Sequence, residues 1–273
     1  MTNSEPHTPI SNFTPADLLR LTQETFVKQY EYHQTLNSTN DRALQLAAES
    51  NAKLPLLVLA DGQTAGRGRG ANLWRTSTGA LTFSLLFDCQ ASQLPTDRWP
   101  LLSLTTGLAI CESLEHFLPT ADVRLKWPND VYVDSRKISG ILIEARPTPQ
   151  PKLVLGIGIN VNNSLATAPP QIAYSATSLT DMTGKHFSLN EVLLRVLKQL
   201  EHHFHQLRDS QINLPELWQK RCLLTGREVK IDTVTNSIQG HCEGIDPNGA
   251  LIVNTENGPQ HCLSGTVTLL DPS

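Results

Sequence analysis

Residues 123–161, VRLKWPNDVYVDSRKISGILIEARPTPQPKLVLGIGINV, decide how this chain folds. Val123 to Trp127, Ile138 to Ala145 and Leu153 to Val161 each read as a strand bounded by turn residues. Pro128-Asn129-Asp130 and Asp134-Ser135-Arg136 are the natural reversals. Strands this close in sequence, flanked by helical patterns, predict an α+β mixed sheet flanked by helices rather than a doubly wound one. In the last strand Leu155, Ile157, Ile159 and Val161 share one face, and Gly156, Gly158 and Asn160 the other. Interior glycines leave a strip of bare backbone. A flat small molecule lying on that strip is the expectation, and a helix packed tightly against the sheet is the alternative.

Working upstream, Leu101, Leu104, Leu108, Cys111 and Leu114 recur at helical spacing between Pro100 and Leu118. Ala80 to Phe87 alternates and reads as a half-buried strand, and Leu54 to Leu59 as a short apolar one. Ser38 or Thr39 caps a helix, with Asp41 in its first turn. A short helix is expected from Pro15 to about Tyr30, after a flexible arm rich in Pro, Ser, Thr and Asn. Downstream, Pro147 to Pro151 and Asn162 to Pro170 read as loops. Ser188 and Glu191 form a capping box ahead of the stripe Leu193, Val196, Leu200, Phe204 and Leu207. A last helix runs from Pro215 to about Cys222. After Thr225-Gly226 the pattern becomes short strands at Val229/Ile231, Ile238, Leu251/Val253 and Val267/Leu269, with a turn at Asp246-Pro247-Asn248-Gly249. That tail predicts a small β-barrel. The expected organisation is an arm and short helix over 1–30, a catalytic domain over 31–224 and the barrel over 225–273.

With 273 residues, 39% of them apolar and 18% charged, the chain has material for a core and is not a disordered one. A net charge of −4 excludes a global basic field for gripping nucleic acid, so DNA is not an expected partner. Cys89, Cys111, Cys222, Cys242 and Cys262 form no CxxC pair and are odd in number, so they read as small buried hydrophobes rather than a disulfide framework. His202, His203 and His205 read as a solvated helix face. No run approaches a membrane span and the N-terminus has no secretory pattern, so a soluble, cytoplasmic protein with no membrane partner is expected.

Gly66-Arg67-Gly68-Arg69-Gly70 is the most unusual stretch. Alternating glycines let backbone approach a ligand closely, and two guanidiniums offer planar forks for phosphate or carboxylate. No Gly-Lys-Ser/Thr follows, and position 71 is alanine, so neither a Walker A loop nor a GxGxxG fingerprint is present. A mobile surface loop or an RGG-like nucleic-acid contact are the plainer alternatives. Gln63 precedes the stretch and Trp74 follows it, the latter read as core packing. Lys126-Trp127-Pro128-Asn129-Asp130 breaks a strand at proline. It can set a cation, an amide and a carboxylate around one turn, as a nucleoside triphosphate with Mg²⁺ requires, or it can be a simple hairpin turn. Lys137 stands at a strand start, with Gly140 permitting close approach three residues on.

Taken in order, these segments resemble the biotin–protein ligases (biotin–[acetyl-CoA-carboxylase] ligases), from about Leu36 to the C-terminus. The matching pieces are Ser38-Thr39-Asn40, Gln63 to Gly70 with Trp74, Lys126 to Asp130, Arg136 to Glu144 and Gly156 to Asn162. The resemblance implies a class II synthetase-like catalytic domain followed by a small SH3-like barrel. It also implies a two-step reaction: biotin and ATP give biotinyl-5′-AMP, whose acyl group passes to a lysine of a biotin carboxyl carrier protein domain. By resemblance, Lys137, Arg67 and Arg69 are the catalytic cations. Ser38, Thr39, Asn40, Gln63, Gly66, Arg67, Gly68, Arg69, Lys137, Gly140, Gly156 and Gly158 bind biotin. Arg69, Lys126, Trp127, Asn129, Asp130 and Asn160 face ATP, and Asn129 with Asp130 meets Mg²⁺ through the phosphates.

Two departures from the family pattern stand out: Ala71-Asn72 replaces a further Gly-Arg, and Ala176-Thr177-Ser178-Leu179 lacks an adenine-stacking aromatic. About 35 residues precede Ser38, fewer than the ~60 of a winged-helix DNA-binding domain, so a member without a repressor domain is expected. A homodimer is left open. The nearest alternative is a lipoate–protein ligase, whose usual Arg-Arg-x-Gly-Gly-Gly loop is absent. An RNA-binding module would want stacking aromatics on the barrel, and Val229 to Leu269 holds no Phe, Tyr or Trp.

Overall fold

Two sheets organise the chain. A computed structural model describes residues 12–49, 52–88, 98–146, 151–166, 168–233 and 235–270. Most of the expected N-terminal arm, Cys89 and most of the 147–151 loop lie outside the described residues. The elements begin with α1 (Pro15–Glu24), β1 (Gln29–Leu36), α2 (Thr39–Leu46), β2 (Leu56–Gln63), β3 (Leu81–Asp88) and α3 (Trp99–Phe117). Next come β4 (Val123–Lys126), β5 (Asp130–Val133), β6 (Arg136–Arg146) and β7 (Lys152–Ile159), then α4 (Pro170–Ser175), α5 (Leu179–Thr183), α6 (Leu189–Arg208) and α7 (Leu214–Gln219). The chain ends in β8 (Glu228–Asp232), β9 (Ser237–Ile245), β10 (Leu251–Thr255), β11 (Gly258–Cys262) and β12 (Thr266–Leu269).

The larger sheet has seven strands in the order β1-β2-β3-β7-β6-β5-β4. Only β1 and β2 run parallel; β2-β3-β7-β6-β5-β4 pair antiparallel. It is the mixed sheet that the spacing predicts. Its rear face carries Leu57, Leu59, Phe83, Leu85, Leu155 and Ile157 into one core with α3 and α6. Its front face is covered at one end by α2, whose Ala43, Leu46 and Ala47 pack on Leu56, Val58, Leu86 and Val154. The rest of the front face is the floor of a cavity.

Four local expectations change. The first helix stops at Glu24, and the Gln29–Leu36 segment is strand, because its alternating QYEYHQTL pairs in parallel with β2. Strand β3 is buried on both faces rather than half-buried, since α2 and the cavity wall cover the side opposite the core. The hairpin between Pro128 and Arg136 contains a strand of its own, β5, and the tail contains a fifth strand, β11. His203 is not solvated: it is 2% exposed, with Nε2 2.8 Å from Glu112 Oε2. Cys111, Cys222, Cys242 and Cys262 are buried free thiols.

The tail forms a separate five-stranded antiparallel sheet, ordered β11-β10-β9-β8-β12. It docks on the first domain through a few directed contacts. Trp127 is 2% exposed and donates its indole N–H to the Gly249 carbonyl at 3.0 Å. Gly249 takes a φ of +83°, which favours glycine, and a methyl built there would meet the side-chain ends of Leu104 and Leu101 of α3 at 2.7 and 2.9 Å.

Candidate active site

Between the front face and the second sheet lies a cavity of about 700 Å³. Strand register builds its floor. Asp130 pairs with Gly140, Gly140 with Gly158, and Gly158 with Thr82, so one row across four strands offers two glycines flanked by an aspartate and a threonine. Ser38, Thr39 and Asn40 enter from the start of α2. Ser38 caps that helix by accepting from the Asp41 amide, which leaves the following residues facing inward.

The polar end of the cavity is already wired. Gln63 Oε1 accepts from the Thr39 amide at 2.7 Å and from its hydroxyl at 3.1 Å, and Gln63 Nε2 donates to Thr76. Ser84 Oγ lies 2.7 Å from Thr39 Oγ1 and 2.6 Å from Asn40 Oδ1. Nothing in the β3 sequence marked Ser84 as part of this cluster beyond a hydroxyl at a buried strand position. Thr82 Oγ1 and Trp74 Nε1, both buried, have no hydrogen-bond partner.

The cationic end gathers residues from two distant segments. Lys137 Nζ lies 2.6 Å from Asp130 Oδ1. Lys126 stands over the Tyr132 ring at 5.6 Å; burial lowers its pKa, and the nearby Lys137 adds to that while Asp130 opposes it. Burial likewise lowers the Arg69 pKa, with Asp130 opposing. Arg69 reaches across to the second sheet, where Nη1 donates to the Gly265 carbonyl at 3.4 Å. Asn129 is held by its amide, which donates to the Ile141 carbonyl at 2.8 Å and leaves Oδ1 uncommitted. Among the described residues no three His, Cys, Asp or Glu gather as a metal site would require unaided.

Ser38, Thr39, Asn40, Gln63, Arg67, Gly68, Arg69, Lys126, Trp127, Asn129, Asp130, Lys137, Gly140, Gly156 and Gly158 all line this one cavity. Gly66 and Asn160 do not. Gly66 forms the neck of the glycine hairpin, where a methyl would lie 2.4 Å from the Trp74 carbonyl oxygen. Asn160 locks the turn after β7: its Nδ2 donates to the Thr177 carbonyl and its Oδ1 accepts from Asn163, both at 3.0 Å. Its side chain is thus bonded to protein, outside the lining of the cavity where the resemblance implies an ATP contact.

Two further features have surroundings that the sequence did not show. Arg67 is not a free cation: its guanidinium forks onto Glu144 at 2.8 and 2.6 Å and touches Asp41 at 2.7 Å. Glu144 holds it more firmly protonated than an ordinary arginine. The glycine strip is not bare either. A methyl on Gly156 would lie 2.1 Å from Asn40 Oδ1, and one on Gly158 would lie 2.2 Å from Trp74 Cε2. The strip thus admits a helix N-terminus at one end and an indole at the other, and Trp74 is a cavity wall rather than core. Sequence reasoning also missed Asp232, Thr233 and the Ser264–Val267 segment, which the second sheet contributes to the lining.

The sequence model of the Biotin/lipoate A/B protein ligase family matches residues 32–162, and that of the Biotin protein ligase C terminal domain matches residues 224–270. The chain is 33% identical over 220 residues to a biotin–[acetyl-CoA-carboxylase] ligase of Mycobacterium tuberculosis, covering 80% of each. It is 30% identical over 242 residues to the bifunctional ligase/repressor BirA of Bacillus subtilis, covering 87% of this chain and 73% of that one. Among solved structures, the biotin protein ligase from Aquifex aeolicus in complex with biotin and ATP superposes with a TM-score of 0.75 at 33% identity, covering 89% of this chain and 98% of the other.

Proposed function

The chain belongs to the biotin/lipoate A/B protein ligase family, and from that premise we propose that it works as a biotin–[acetyl-CoA-carboxylase] ligase with the cavity as its active site. The carboxylate of biotin attacks the α-phosphorus of ATP; a P–O bond forms, pyrophosphate leaves, and biotinyl-5′-AMP results. The ε-amine of an acceptor lysine then attacks the acyl carbon. An amide forms, AMP leaves and the amine loses a proton.

The observation that carries this reading is that Arg69, Lys126 and Lys137 line one cavity with Asp130, whose Oδ1 lies 2.6 Å from Lys137 Nζ. These three cations outnumber the Asp130 carboxylate beside them and leave an excess of positive charge in a partly desolvated cleft. There it can hold a carboxylate and a triphosphate together against their mutual repulsion. Lys137 acts as an electrostatic catalyst and forms no covalent bond. Ser38, Thr39, Asn40 and Gln63 suit the ureido head, being a compact set of donors and acceptors at the opposite end. Gly140 keeps the acid's path to Lys137 narrow, since its open position already abuts the Lys137 chain at 3.3 Å. Asn129 Oδ1 and the Asp130 carboxylate are oxygen donors of the kind Mg²⁺ accepts, and the phosphates supply the ligands that the chain lacks. The second sheet, with Asp232, Thr233 and Ser264 on the wall, closes the nucleotide side.

The acceptor is a biotin carboxyl carrier domain. The cytoplasm suits this reading because ATP and the carrier are found there. No helix among the described residues is long and apolar enough to cross a membrane.

The test is to incubate the chain with ATP, Mg²⁺, labelled biotin and a purified carrier domain. Pyrophosphate release on adding biotin, followed by label on one carrier lysine, is expected. Label transfer from lipoate instead of biotin, or no adenylate with either acid, would overturn the assignment.

A further inference from the structure

Glu144 lies just behind the cavity wall, where three elements converge on its carboxylate. From the glycine hairpin, Arg67 donates through Nη1 and Nη2 at 2.8 and 2.6 Å. From α2, Asn40 Nδ2 donates to Oε2 at 2.8 Å, while Asp41 Oδ1 sits 2.7 Å from Arg67 Nη2. Glu144 itself stands on β6, beside the floor. A forked guanidinium–carboxylate pair is fixed in direction as well as distance, and at 23% side-chain exposure for Glu144 it is partly shielded from water.

The hairpin is therefore held unequally at its two ends. Its base is tied by the Arg67–Leu73 bridge, by Trp74 N donating to Gly66 O at 2.9 Å, and by the fork onto Glu144. Its tip is closed within the hairpin, Asn72 N donating to Arg69 O at 3.1 Å and Gly68 N to Asn72 O at 2.8 Å, while the Arg69 side chain reaches the second sheet through a long 3.4 Å bond to the Gly265 carbonyl. The same Glu144 oxygen holds Asn40, which fills the space over Gly156 and takes part in the Ser84 cluster.

We propose that Glu144 is a positioning residue of the ligase reaction: through Arg67 and Asn40 it fixes the base of the glycine hairpin over the acid-binding end of the cavity, so that the hairpin opens from its Arg69 tip. The proposal rests on the ligase reading for its kinetic consequences, though not for its mechanical one. Glu144 is not among the residues that line the cavity, and its effect passes through two residues that are.

Glu144→Gln keeps the size and removes the charge; Glu144→Asp keeps the charge at a shorter reach. Expected for Glu144→Gln is a rise in the biotin KM of roughly tenfold, the scale of losing a charged hydrogen bond. The ATP KM should change much less, and biotinyl-5′-AMP should escape faster when no carrier is present. Glu144→Asp should recover part of the biotin KM. Amide hydrogen exchange supplies an arm independent of activity: the Gly68 and Trp74 amides, bonded to Asn72 O and Gly66 O, should exchange faster in Glu144→Gln, at an unchanged melting temperature. If the parent chain makes no adenylate, the ligase reading fails, and the exchange arm still decides whether Glu144 anchors the hairpin. If the parent is active but Glu144→Gln matches it in biotin KM and in exchange, the anchor is wrong. Equal damage in the Gln and Asp variants, tracking a common fall in melting temperature, would make Glu144 merely structural and would also overturn the proposal.

Discussion

Replacing Gly158 by alanine tests what covers the cavity floor. The new methyl would sit 2.2 Å from Trp74 Cε2, 2.5 Å from Cζ2 and 2.7 Å from Nε1. Carbon atoms prefer ~3.5–4.0 Å, so the indole must retreat by more than about 1 Å. The strand cannot yield in its place, because β7 is paired on both sides, to Thr82 of β3 and Gly140 of β6. Overpacking of this kind costs about 1–3 kcal/mol. For a domain of this size that corresponds to a melting temperature lower by roughly 2–12 °C. Gly140→Ala is the internal control. There the nearest atoms are the Lys137 side-chain end at 3.3 Å and Trp74 Cζ3 at 3.5 Å, so a flexible chain gives way and little stability is lost. A double-mutant cycle isolates the contact: in a Trp74→Ala background the Gly158→Ala penalty should vanish, leaving a coupling of about 1–3 kcal/mol. Unfolding curves for the four proteins, with the biotin KM of each, are the assay. Additive effects, or a Gly140→Ala variant as damaged as Gly158→Ala, would show that the indole does not lie on the strand as described.

Three more outcomes follow from single contacts. Arg69→Ala removes the hairpin tip's one bond to the Gly265 carbonyl, so biotinyl-5′-AMP should leak into solution and label lysines outside the carrier; retention at the parental rate would refute the clamp. Trp127→Phe keeps an aromatic ring, though a smaller one, and strands the Gly249 carbonyl, costing ~1–3 kcal/mol and loosening the seam between the two sheets; a parental melting curve would count against that seam. Glu112 is held below its ordinary carboxyl value of 4.5 chiefly by its hydrogen bond to His203. Its contribution to stability is then complete above about pH 4.5 and is lost as the pH falls through the lower folded value, so Glu112→Gln should flatten the acid limb of a stability–pH curve. An unchanged limb would refute the pairing.

The fold was legible where periodicity and turn chemistry coincide, and not where pairing partners lie far away. Ser38 reads as a cap from its neighbours alone, and it is one. The Gln29–Leu36 strand has weak apolar contrast, and only its parallel partner β2, more than twenty residues on, makes it a strand. His203 illustrates the same limit. It lies one position from the apolar stripe, and a carboxylate on another helix, Glu112, makes its burial affordable.

The candidate site was legible as a set of residue types, whereas the state of each charge was not. Arg67 and Arg69 stand in identical surroundings, each between two glycines. Helical or strand periodicity treats them alike. Yet Arg67 is neutralised by Glu144, 77 residues away, while Arg69 keeps its charge and reaches a carbonyl 196 residues away. The difference weighs on an anion's choice between them: moving Arg67 to a phosphate would leave Glu144 and Asp41 unpaired beside the incoming negative charge. A guanidinium already held by two carboxylates can therefore shape the cavity more cheaply than it can bind within it, and on the proposed ligase reading the work of charge neutralisation would fall to Arg69, Lys126 and Lys137.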